Sequence, residues 1–287
     1  MASSGWTTSS ALADSLDDIR SSARIVREQE GNMSQLVEKQ TLGEGMGTSW
    51  RELKYDQLVA QAVTETTELD NPQQIADSII SIEPAVVGIE TFITDKVGAR
   101  INKKGFSKIG SLAQNAIQRK KDEDGLVLFA SANTNSDPGS GVTLTSGYIA
   151  SAAANIRGNT TEPGHDPIRC LLHPFQIHDL YNELVAGVGT AVVMEGPTAR
   201  VFSQGFTLPV AGCEIYPDGN ISSGKGGVFA QDGIILVQGR APRVVNVRNE
   251  KRGGGGNHVY HYDEYAYGVR LSNWVYLMES DVTAPTS

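Results

Sequence analysis

"EPAVVGIETFITDKVGARINKKGFSKIGSLAQNAIQRKKDEDGLVLF" spans residues 83–129 and joins two different periodicities. Up to Thr94 it is rich in Val, Ile and Thr, as strands are. From Gly105 onward Phe106, Ile109, Leu112, Ala113, Ala116 and Ile117 recur at helical spacing. A helix carried on to Phe129 would be about 24 residues and about 36 Å long. Gly125 costs about 1 kcal/mol inside a helix, so a bend is expected there. The stretch contains a long beam and a dense charge cluster, and no catalytic motif.

Outward from this stretch, the N-terminal side reads as appendages. Residues 1–10 are rich in Ser and Thr and are expected to be disordered. Leu12, Leu16, Ile19, Ala23 and Val26 form one narrow apolar stripe on a short helix that stops at Gly31 and needs a surface to dock on. TLGEGMGTS, 41–49, reads as a flexible link. Between Trp50 and Asp95, LVAQAVTETTEL and SIISIEPAVVGIETFIT read as extended segments around a turn at DNPQQ, a two-stranded excursion. A lone hairpin is marginally stable in water, which implies a partner surface.

The C-terminal side reads as α/β and then β. ANTNSDPGSG, 132–141, is expected as a loop, 144–156 as an alanine-rich helix ended by Gly158, 168–172 as an apolar strand and 174–185 as a helix. Strands follow in LPVAGCEIYP, GVFAQDGIILVQG, RVVNVRNE, HVYHYDEYAYGVRL and WVYLME, with RGGGG, 252–256, as a hairpin tip.

Composition narrows the function classes. The 287 residues suit one large domain or two small ones, and the net charge of -9 argues against a nucleic-acid-binding surface. Residues 1–100 hold eight Lys and Arg against 16 Asp and Glu, so the acidity lies in the first third. No apolar run is long enough to span a membrane, and no signal peptide is expected. Cys170 and Cys213 read as buried structural thiols of a reducing compartment. His173 and His178, with Asp179, sit five apart, about 140° around a helix, and cannot easily share an ion. On a strand His261 and Asp263 would face one side and His258 the other, with no evident third ligand. No phosphate loop, calcium loop or nucleophile elbow occurs, and neither a metal nor another cofactor is expected.

The order of elements resembles the major capsid protein of tailed bacteriophages, whose α+β fold is named after phage Hong Kong 97. Residues 83–129 and IRCLLHPFQIHDL, 168–180, carry the resemblance in sequence. It implies an N-terminal arm at 1–49, an extended loop at 50–95, a spine helix of the peripheral domain at 96–135, an axial domain at 136–240 and closing peripheral strands at 241–287. It further implies a non-enzymatic homo-oligomer of pentamers and hexamers, closed as an icosahedral shell around double-stranded DNA. Assembly would take place in the host cytoplasm, with a scaffolding, portal or decoration protein as further partners.

Expected assembly contacts are Leu12, Leu16 and Ile19 in the arm, Glu65, Glu68 and Asp70 in the loop, and Lys103, Lys104, Lys108, Lys120 and Lys121 on the helix. Arg248, Lys251 and Arg252 complete them near the Gly-rich tip. An encapsulin-like nanocompartment shell is the alternative with the same fold. A cytosolic metal-dependent enzyme using His258, His261 and Asp263 is the alternative from another class.

Overall fold

Pro84 divides the apolar run 78–94 into two strands with different partners. Proline offers no N–H to a ladder and restricts the residue before it, so the pairing breaks there. The computed structural model describes residues 29, 31–66, 72–95, 103–188, 209–251, 255–282 and 284, with the backbone alone at 103–109 and 184–188. Strand β2 (Trp50–Tyr55) pairs antiparallel with β3 (Asp77–Ile82), from Trp50 opposite Ile82 to Tyr55 opposite Asp77. Strand β4 (Ala85–Thr94) lies instead in a four-stranded sheet with β1 (Glu38–Thr41), β9 (Ile234–Asn249) and β10 (Gly256–Val269), in the order β1–β9–β10–β4.

The excursion is therefore two-stranded as expected, but its first strand is WRELKY. The segment 58–66 is not a strand. Its backbone is held locally: the Val59 N–H donates to Gln73 Oε1 at 2.9 Å, and Gln73 Nε2 donates back to the Val59 carbonyl.

The long helix covers Lys103–Leu126, followed by a 3-10 turn at Val127–Ser131. No break occurs at Gly125. A Cβ there would lie 2.5 Å from Met33 Cγ and 3.1 Å from the Tyr267 ring, so the glycine is a point of close packing. A short helix, Met33–Leu36, leads into β1, which pairs parallel with Ile235–Gln238 of β9.

Helix Ser146–Arg157 buries Ile149, Ala152, Ala153 and Ile156 and ends at Gly158, whose N–H donates to the Ala154 carbonyl at 2.7 Å. The second sheet runs β11 (Val275–Leu277), β8 (Gly226–Ala230), β6 (Ile168–Leu172), β7 (Cys213–Pro217). Strand β6 is apolar almost throughout because both faces are covered. Ile168, Cys170 and Leu172 join the cluster around helix Ser146–Arg157, while Leu171 joins a second cluster with Met33, Leu36, Phe129 and Phe229. Helix Pro174–Val188 follows β6. Part of the stretch expected as a loop at 132–141 is strand β5 (Gly139–Thr143), paired parallel with β12 (Ser280–Asp281). Asp137 makes that pairing, with its Oδ1 accepting the N–H groups of Glu279 and Gly139.

The chain divides into two compact units. One comprises 1–28, 88–118 and 242–262; the other comprises 29–87, 119–241 and 263–287.

Candidate assembly surfaces

Within the charge cluster RKKDEDG at the end of the long helix, Lys121 and Asp122 are buried, whereas Arg119 and Lys120 are exposed. Arg119 pairs with Glu123 and Lys120 with Asp124, both four residues apart on the helix. Lys121 is buried: its Nζ donates to Gln238 Oε1 at 2.7 Å and to Asp263 Oδ2 at 3.2 Å, and it lies 4.8 Å from the centre of the Tyr265 ring. Asp124 accepts the Tyr265 hydroxyl at 2.9 Å. The expectation that Lys121 faces a neighbouring subunit is thereby corrected, because its ammonium is desolvated and committed within its own chain. Lys120 is exposed but holds Asp124. The side chains of Lys103, Lys104 and Lys108 lie outside the described residues, as do Leu12, Leu16, Ile19, Glu68, Asp70 and Arg252.

The β2–β3 hairpin has an inverted pattern. Its inward face carries Trp50, Glu52 and Lys54. Trp50 packs on the small core of Ile82, Ile235 and Val237. Glu52 receives Arg270 Nε at 2.9 Å, and Lys54 pairs with Glu162. Arg270 also reaches Glu38 and the Asp232 carbonyl, so one arginine ties β1, β2 and the turn before β9. The outward face carries Leu53, Tyr55 and Ile79, with Ile79 62% exposed. Leu58, Val59, Val63 and Ile75 beyond it are exposed too, as is Glu65. Exposed large apolar side chains are thus concentrated in this one segment.

The far half of β9 lacks the β1 partner of its near half. Strand β1 covers only Ile235–Gln238, and beyond it this edge has no strand partner among the described residues. Val244 and Val247 are exposed, Arg240, Arg243 and Arg248 make this half of the strand basic, and Lys251 lies just past its end. Arg248 bonds Asp95 at 2.9 Å and also holds Glu250.

His258 and His173 are held by structural contacts. His258 binds Glu90 through Nδ1 and Asn249 through Nε2, and stacks in a ladder with Tyr260 and Tyr262. Asp263 serves Lys121. Among the described residues no three His, Cys, Asp or Glu side chains converge on a common point for a metal. His173 caps its helix, with Nδ1 accepting the Phe175 N–H at 3.2 Å, and burial lowers its pKa. Cys170 and Cys213 are free and buried, and burial pushes the Cys213 thiol up to about 11, away from nucleophilic use.

No family model matches the chain, and no curated protein does. Solved structures do. A chain of Mycobacterium phage Che8 matches with a TM-score of 0.67 at 12% identity, over 89% of this chain and 94% of that one. The capsid structure of Cyanophage P-SCSP1u matches at 0.66 and 15% identity, over 91% and 92%. The acidic stable capsid of Helicobacter pylori bacteriophage KHP30 matches at 0.66 and 11% identity, over 98% and 99%. The chain carries the α+β fold of the tailed-phage major capsid protein.

Proposed function

We propose that the chain is the major subunit of an icosahedral bacteriophage shell, assembled as pentamers and hexamers around double-stranded DNA. The observation that carries this reading is a capsid match covering 98% of this chain and 99% of its counterpart. The exposed apolar hairpin and the far half of β9, which lacks the β1 partner, support it, since permanent assemblies bury about 2,000–5,000 Å² or more per interface. In this reading residues 1–49 act as the arm, with Leu12, Leu16 and Ile19 docking on a neighbour. Residues 50–95 act as the extended loop, 96–135 and 241–287 as the peripheral domain, and 136–240 as the axial domain. The role is structural rather than enzymatic. DNA is enclosed without sequence readout, and the shell forms in the host cytoplasm, with scaffolding, portal or decoration proteins as partners.

Negative-stain microscopy of the purified full-length protein tests the proposal. Uniform closed shells or ring-shaped capsomers are expected, and a protein that stays monomeric at every concentration overturns it. Nucleic acid inside shells recovered from cells separates a virion from a compartment built around protein cargo. No lysine occurs between Lys54 and Lys96, so the loop offers no amine for covalent linkage to a neighbour. Shell protein should run as a single band on a denaturing gel; a ladder of multiples would contradict this.

A further inference from the structure

Two buried carboxylates hold the backbone at Asn32 and Met33. Asp122, on the long helix, and Asp218, after β7, are 2% and 1% exposed. Asp122 Oδ1 accepts the Met33 N–H at 2.9 Å, and Asp218 Oδ2 accepts the Asn32 N–H at 3.1 Å. Asn220 bridges them: its Nδ2 donates to Asp122 Oδ2 and its backbone N–H to Asp218 Oδ1, each at 2.9 Å. Asn32 Nδ2 adds a bond to the Pro217 carbonyl at 2.7 Å. The chain crosses so closely that a Cβ on Gly31 would lie 2.0 Å from the Asp122 carboxyl carbon. These bonds attach the start of helix Met33–Leu36 to segments far away in sequence.

We propose that Asp122 and Asp218 form a proton-sensitive clasp on the backbone at Gly31–Met33, closed when Asp122 is protonated and loosened when it is charged. Two buried like charges bridged by one asparagine repel, and protonating one of them removes the repulsion. Burial is the main cause that pushes the Asp122 carboxyl up to about 6, with the charge of Asp218 adding to it and the bonds from Asn220 and Met33 opposing it.

Among the described residues, the groups around the pair do not neutralise it. Tyr267 from β10 is a neutral phenol whose own pKa is raised, first by burial and then by Asp122. His173 interacts with Asp218, and its pKa is lowered by burial. Lys121 is held by Asp263, and Asp124 by Lys120 and Tyr265. Arg169 points its guanidinium at the Leu36 carbonyl.

The sign follows from the raised pKa. Protonated Asp122 is favoured in the folded clasp, so its contribution is fully present below the ordinary carboxylate range and is lost as pH rises through about 6.

Hydrogen exchange of the full-length unassembled chain, corrected for intrinsic rates, reads the clasp at residues 31–36. Protection there should fall about tenfold between about pH 5 and about pH 7.5, since one pKa unit corresponds to a factor of ten. Strand Ile168–Leu172 should not change. Asp122→Asn should remove the pH dependence. Gly31→Ala, which forces the crossing apart, should lower protection at 31–36 at both pH values. Constant protection across this range, retention of the dependence in Asp122→Asn, or an equal change in Ile168–Leu172 would overturn the clasp.

Discussion

Lys121 holds a buried ammonium between Gln238 and Asp263, with the Tyr265 ring beside it. Removing one member of such a pair leaves the other charge buried without a partner, which typically costs about 3–5 kcal/mol. Lys121→Met should therefore lower unfolding stability by about that amount, read by denaturant titration. Adding Asp263→Leu should recover much of the loss, because no orphan charge then remains. A single-variant cost under about 1 kcal/mol would mean that water reaches the pair. The sequence did contain a sign of this role. Ala113, Ile117, Lys121 and Gly125 are buried at a spacing of four, so Lys121 continues the apolar stripe. A charge cluster read as composition hides that phase. The same holds for Gly125, whose expected bend is replaced by contact with Met33 and Tyr267. The Asp122–Asp218 pair left no such sign, because its members meet only through the fold.

At the scale of elements, periodicity located the long helix, β6 and the helix after it to within a few residues at each end. It misplaced the first strand of the hairpin for a physical reason. In β2 the inward positions are Trp50, Glu52 and Lys54, while Leu53 and Tyr55 face out. Apolar-in alternation is therefore reversed, and the inward charges are satisfied by Arg270 and Glu162, which no local pattern announces. The outward apolar face contributes little to the isolated subunit. Leu53→Asp combined with Ile79→Asp should shift unfolding stability by only about 0.5 kcal/mol per site, as surface substitutions do. The same pair should prevent shell formation, seen as loss of the fast-sedimenting species. Normal shells from this double variant would show that the hairpin face is not an assembly contact.

Across the whole molecule, opposite charges are segregated along the chain. Asp56, Glu65 and Asp77 lie in a stretch without a basic residue between Lys54 and Lys96, whereas Arg240, Arg243 and Arg248 lie in the far half of β9 and Lys251 just past its end. Lys120 and Lys121 hold carboxylates of their own chain, as do Arg240 and Arg248, so pairing with a neighbour's acidic loop is best tested at Arg243 and Lys251. The basic edge also disfavours pairing with its own copy, since like charges would face each other. Complementary charge of this kind sets partner choice and encounter rate more than final affinity. Assembly followed by light scattering should slow as salt is raised toward about 1 M, where the screening length falls to about 3 Å. Arg243→Glu with Lys251→Glu should slow assembly at low salt, and a loop bearing Asp56→Lys with Glu65→Lys should restore part of the rate. An unchanged rate in the charge-reversed variant at low salt would mean that acidic loop and basic strand do not meet, and that the outward apolar face alone directs the subunits together.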